Sequence, residues 1–364
     1  MKKLLLVAST LLACTSLSAK EQGRYDDGAR WAFVTDQKTT NVAVIDTFNF
    51  NYVDEVALKT TPIRLEVSDV QDLLVYVDGK TPQIYVYDLV KKTHWVTKVK
   101  SVPNEISFHP DGAQLAVAMK DRIEIIKPLK RELVTAIDGI KSPFSMNFDN
   151  GGYNLYVSES DSGKTLIYRN HDGKKSHIAI GKGAVSELTL SPDARLALVS
   201  QYKDNSVIVW DLMMNMRMSS YQFESAPWRP YVSSDSEYIV LASEDGSAQV
   251  IESWGGKVVK EFKLSGTPQS IRTGWIEQMG IIESPKALDI FELTSDKPAT
   301  SVPLKSELGE VVIVSDSKTL FATQKDSSKL FVYDIRSKKI LNEIDTKLAA
   351  PNLLSMGITN TICH

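Results

Sequence analysis

Eight positions recur along the chain at intervals of 40 to 43 residues: Arg64, Glu105, Ser145, Glu187, Arg229, Ser270, Glu310 and Leu353. Five of the eight carry charge. Each stands two residues after a repeated turn position, filled by Pro62, Pro103, Pro143, Val185, Pro227, Pro268, Leu308 and Pro351. Three carboxylates can hold a cation or an amine, and two guanidiniums can grip an anion with paired hydrogen bonds. Trp228, beside Arg229, adds an aromatic face. Gathered at one place, the set would hold a small polar ligand, and it leaves room for a metal or an organic cofactor. Spread over a solvated rim, the same charges would only neutralise one another.

Other residues that suggest chemistry fit structural roles better. His109 takes a turn position at which Ser191 stands elsewhere. His171 and His177 flank a DGKK hairpin and would form a metal pair only by meeting across it. Cys363 and His364 offer a soft metal only two ligands. Gly163-Lys164-Thr165 lacks the first glycine of a phosphate loop, because Ser158 stands there. Asp46, Asp88, Asp211 and Asp334 look catalytic singly, but their regular spacing marks a turn. No CxxCH, GxSxG or HExxH occurs. No catalytic residue is assigned on these grounds, and no motif calls for a cofactor.

Positioning those eight residues requires a repeated scaffold. An apolar run ending in a polar residue recurs at Asp46, Asp88, Lys127, Arg169, Asp211, Glu252, Glu292 and Asp334, at intervals of 39 to 42 residues. Each full repeat holds four short β-type runs, as in IRLEVS, LLVYVD, IYVYD and WVTKVK across 62–100. Turns spelled HPDG (109–112) and SPDA (191–194) punctuate them. No long segment shows a 3.6-residue apolar period. Four strands per 40–45 residues is the blade of a β-propeller. The first repeat lacks its inner strand, and NLLSMGIT (352–359) is spare at the end. The expectation is an all-β, eight-bladed propeller closed by that C-terminal strand; seven blades is the alternative.

The segments WAFVTDQKTTNVAVIDTFNFNYVDEV (31–56), LYVSESDSGKTLIY (155–168) and LFATQKDSSKLFVYD (320–334) resemble bacterial YVTN-type propeller repeats. The resemblance extends to the superfamily containing the haem-d1 domain of nitrite reductase, which implies eight blades. Trp210-Asp211 echoes the signature dipeptide of eukaryotic WD repeats, whose Gly-His element is absent. By this resemblance, enzymatic relatives would be metal lactonases and quinone- or haem-dependent oxidoreductases. A lactonase metal would draw on Glu105, Glu187 and Glu310 but wants an Asn or His that the ring lacks. A haem-d1 enzyme wants an axial histidine, and none lies in the aligned loops. Propellers host many unrelated activities, so function must be argued from a site.

Residues 1–19 read as a signal peptide: Lys2 and Lys3, then an apolar stretch from Leu4 to Ala13. Leu11-Leu12-Ala13-Cys14 offers a lipobox alternative, with Cys14 lipidated. Residues 20–30 would be a linker, 31–360 one propeller domain and 361–364 a tail. A periplasmic protein or an outer-membrane lipoprotein is expected, with no transmembrane segment after the leader. The net charge of −3 and pI near 6.0 lack the basic footprint of a nucleic-acid binder. The two cysteines are too few for a disulfide scaffold. The function expected is non-catalytic: a binding or interaction scaffold for an envelope protein or a small polar ligand. The alternatives are a cofactor or metal carrier and a propeller enzyme.

Overall fold

The middle runs of each repeat are apolar without alternation, and the structure shows why. In Leu73–Val77 and Leu115–Met119 every side chain is buried. A strand with a sheet packed on each face must bury both. In this computed structural model, which describes residues 30–357 except 161, 274–277, 315 and 317, the strands form eight four-stranded antiparallel sheets. Blade 1 combines 31–57 with 351–356; blades 2 to 8 span 64–98, 103–138, 143–178, 189–222, 231–263, 270–303 and 308–345. One hydrophobic cluster fills each of the eight gaps between neighbouring blades. Between blades 1 and 2, for example, Val42 and Val44 pack with Leu74 and Tyr76. Burying such a side chain stabilises by about 1.5–3 kcal/mol, so the ring is held by its gaps.

The closing strand is Pro351–Met356, within the expected 352–359 run except for its first residue; residues 358 and 359 lie outside the described residues. It pairs antiparallel with Trp31–Asp36, matching Ala32 to Met356 and Val34 to Leu354. Blade 1 therefore takes its inner strand from the far end of the chain, and eight blades replace the alternative of seven. The signal peptide, Cys14 and the Cys363–His364 pair lie outside the described residues, as does most of the 20–30 linker.

Turns repeat as faithfully as strands. Asp88 Oδ1 accepts the N–H groups of Val90 and Lys91 at 3.0 and 2.7 Å, and Asp46 and Asp211 do the same for their own turns. Four residues after the anchor, Phe50, Lys92, Arg131, Asn215 and Lys338 all adopt left-handed φ. His109 is a turn residue: its Nε2 lies 3.0 Å from the Gly152 carbonyl, and its ring packs edge-on to Phe148. His177 pairs with Leu166 across its hairpin while His171 sits at the tip, so the two do not face each other. Lys164 and Thr165 lead into the strand Thr165–Arg169 of a hairpin, which removes the phosphate-loop reading.

Candidate ligand site at the channel mouth

Inner strands alternate where the middle strands do not. In Arg64–Ser68, Arg64 is exposed and Glu66 half-buried, while Leu65 and Val67 are buried. Alternate residues thus face the channel and the others pack between blades. This rule explains how the eight repeated positions gather. Arg64, Glu105, Ser145, Glu187, Glu310 and Leu353 line one cavity of about 520 Å3. Glu187 is shared with an adjoining recess of about 280 Å3 that also holds Trp228, Arg229 and Ser270. Glu310 is shared with a third recess of about 380 Å3, again with Trp228 and Ser270. All eight positions and Trp228 therefore surround one mouth.

The same alternation sets a second layer two residues deeper, which the sequence reading missed. Glu66, Ser107, Asn147, Val312 and Ser355 line the cavity below the first layer, and Arg272 lines the two recesses beside it. The signal was available: adding two to each position of the first layer finds the next residue on the same face.

Four of the mouth charges are spent on each other, in two ion pairs. Arg64 Nε donates to Glu105 Oε2 at 2.8 Å across the gap between blades 2 and 3. Arg229 Nη1 donates to Glu187 Oε2 at 2.5 Å across the gap between blades 5 and 6. Arg229 is further held by the Leu188 carbonyl at 3.0 Å and Thr189 Oγ1 at 3.1 Å. Ser270 Oγ donates to Glu283 Oε2 at 3.1 Å.

Three ionisable side chains are left over. The carboxylates of Glu310 and Glu66 form no ion pair with any described residue, and the Arg272 guanidinium donates only to the Ile271 carbonyl, at 2.9 Å. Burial pushes the Glu310 carboxyl up; Arg272 and Arg64 pull it back down and Glu187 opposes them. Burial pushes Glu66 up to about 8, with Glu105 adding to the rise, so Glu66 is mostly protonated at neutral pH. Burial likewise pushes Glu283 up to about 7. In the recess between blades 7 and 8, Arg272 and Glu310 share one wall system with Trp228. That recess offers a cationic donor, an anionic acceptor and an aromatic face within one small volume.

Among the described residues no three of His, Cys, Asp and Glu converge closely enough to hold a metal, so Glu105, Glu187 and Glu310 do not form a preassembled cation site.

No protein-family model matches the chain, and no curated protein does. Solved structures do. One is the dihydro-haem d1 dehydrogenase NirN in complex with DHE: 15% identical, covering 90% of this chain and 75% of that one, with a TM-score of 0.73. The propeller fold is therefore shared with that structure. The YVTN repeat family itself finds no matching model.

Among the described residues, this mouth offers a haem-like group few ligands. No histidine or cysteine is among the residues lining the three recesses. The two methionines there, Met146 and Met356, are buried in the clusters between blades. Tyr202, 43% exposed in the recess that holds Arg229, is the side chain there of a type that ligates haem iron.

Proposed function

We propose that the protein is an exported, non-catalytic binding propeller of the bacterial envelope whose channel mouth takes a small polar ligand bearing both an acidic and a basic group. The observation that carries this reading is the pair left over after the mouth has neutralised itself: Arg272 and Glu310, lining one recess of about 380 Å3 beside Trp228. Arg272 would take the ligand's carboxylate, Glu310 its ammonium, and Trp228 its apolar body. Glu66, protonated at neutral pH, would donate a hydrogen bond deeper in the channel. The leader at 1–19 supports export, and Cys14 supports a lipid anchor as its alternative. The carrier reading draws on the fold likeness alone and ranks behind, because the described lining offers an iron no histidine, cysteine or exposed methionine.

Native mass spectrometry of the protein purified from its own host tests the reading and reports the N-terminal modification at once. Calorimetry with a panel of amino-carboxylates follows. The expected result is one bound ligand, with Arg272→Gln and Glu310→Gln each weakening it about tenfold or more, as lost charge-assisted hydrogen bonds require. A bare polypeptide that binds no panel member would overturn the small-ligand reading. Crosslinking for an envelope protein partner would then come first. A bound organic cofactor would favour the carrier.

A further inference from the structure

We infer that the hairpin tip of blade 5 is a binding site for a soft monovalent cation, Cu(I) or Ag(I), held by the thioethers of Met213, Met214 and Met216. The chain has nine methionines, and four of them fall within 213–218. Met119, Met146, Met279 and Met356 are buried, as an unbranched hydrophobe ordinarily is. Met213, Met214 and Met216 are 68%, 62% and 52% exposed. Every well-exposed methionine among the described residues thus sits on this one tip. Met218, the extra residue of a β-bulge, packs into the cluster between blades 5 and 6 and takes no part.

The tip is held in shape by other atoms. Asp211 Oδ1 accepts the N–H groups of Met213 and Met214, both at 2.9 Å. Asn215 supplies the left-handed residue, with φ 51°, and Met216 then opens the outer strand opposite Asp211. Turn residues three apart lie within about 7 Å between Cα atoms. Three rotatable bonds let methionine sulfurs converge over that span.

The other blades supply the control. In blades 1, 2, 3 and 8 the equivalent turns also have a left-handed residue four after the anchor, so the backbone is common to them and the side chains around it are free to differ. Three residues after the anchor they carry Asn49, Lys91, Lys130 and Ser337; five residues after it they carry Asn51, Thr93, Glu132 and Lys339. Every one is polar, where blade 5 has Met214 and Met216. Two residues after the anchor Phe48, Val90 and Leu129 are apolar, so Met213 alone would mean little. The fold therefore does not demand two of these thioethers. Their neutral, polarisable sulfurs select Cu(I)-like ions over hard cations.

The test uses the full chain carrying Cys14→Ser and Cys363→Ser, with 13C-methyl-labelled methionine and Ag+ as the probe. The expected result is a saturable shift of the three tip resonances at one equivalent of Ag+, while the buried methionine signals stay in place. Met214→Leu and Met216→Leu keep the apolar bulk and should each weaken binding; the pair together should abolish it. A tip that does not respond to Ag+, or a response equal in the wild type and the double variant, would overturn the inference. The buried resonances report that each variant is folded.

Discussion

The channel wall has two unlike sides. In blades 1, 2, 3, 4 and 8 the inner strands run five or six residues. In blades 5 and 6 they shrink to two residues each, Thr189–Leu190 and Tyr231–Val232. Prolines explain blade 6: Pro227 and Pro230 flank Trp228 and Arg229, and neither has an N–H to donate to a ladder. Side chains supply the missing bonds. Ser200 Oγ donates to the Trp228 carbonyl at 2.5 Å, Thr189 Oγ1 to the Pro230 carbonyl at 2.7 Å, and Arg229 to the Leu188 carbonyl. On the regular side polar side chains at the mouth are decoration on a finished ladder. On the irregular side they are part of the wall, and there Trp228, Arg229 and Arg272 collect.

That difference predicts unequal costs for like substitutions. Arg229→Ala removes the pair with Glu187 and the bonds to Leu188 and Thr189, leaving the Leu188 carbonyl only Asn147 Nδ2 at 3.3 Å and Thr189 Oγ1 only the Pro230 carbonyl. It should destabilise by about 2–3 kcal/mol, for three side-chain hydrogen bonds lost from one partly buried network. Arg64→Ala removes a rim ion pair whose arginine side chain is 46% exposed. Its other bond goes to the carbonyl of its own neighbour, Ile63. It should cost less than about 1 kcal/mol. Urea unfolding of the two variants measures both. Equal losses would break the distinction between the two sides.

Glu66 sharpens it from the regular side. Its carboxyl is held near 8 when folded and near the ordinary glutamate value when unfolded. A raised pKa means that the folded chain binds the proton more tightly. Its contribution is therefore fully present below about pH 4.5 and is lost as pH rises through about 8. Glu66→Gln should match the wild type near pH 4 and exceed it at pH 9 by about 1–3 kcal/mol. Parallel stability curves across that range would show that the buried charge is solvated by the channel instead.

Most of the architecture was legible in the sequence because a propeller writes itself as a period. The anchors gave the third strands, and the missing first inner strand pointed to Pro351–Met356. The first layer of the mouth was legible for the same reason, since one position per repeat faces one axis. The second layer needed the strand's two-residue alternation as well, so Glu66 and Arg272 went unremarked. Pairing was not legible at all. Which of two carboxylates Arg64 or Arg229 meets depends on the rotation between neighbouring blades, and no spacing encodes that. The thioether tip was hidden by its composition, because a methionine run reads as core until its exposure is known.

The smallest effect expected lies at the foot of the irregular side. The turns HPDG and SPDA are equivalent, and each closes with the fourth N–H donating to the first carbonyl at 2.8 Å. Blade 3 places Gly112 at the left-handed position, φ 67°; blade 5 places Ala194 there, φ 56°. A non-glycine residue in that region costs about 1–2 kcal/mol. Glycine loses about 0.4–1 kcal/mol more chain entropy on folding. Ala194→Gly should therefore stabilise blade 5 by about 0.5 kcal/mol. The reciprocal Gly112→Ala should destabilise by more, because its Cβ would lie 2.7 Å from Val70 Cβ. Thermal unfolding of both variants measures the pair. If Ala194→Gly destabilised instead, the short-stranded side would depend on the alanine side chain, and its irregularity would extend from the mouth to the opposite end of the blade.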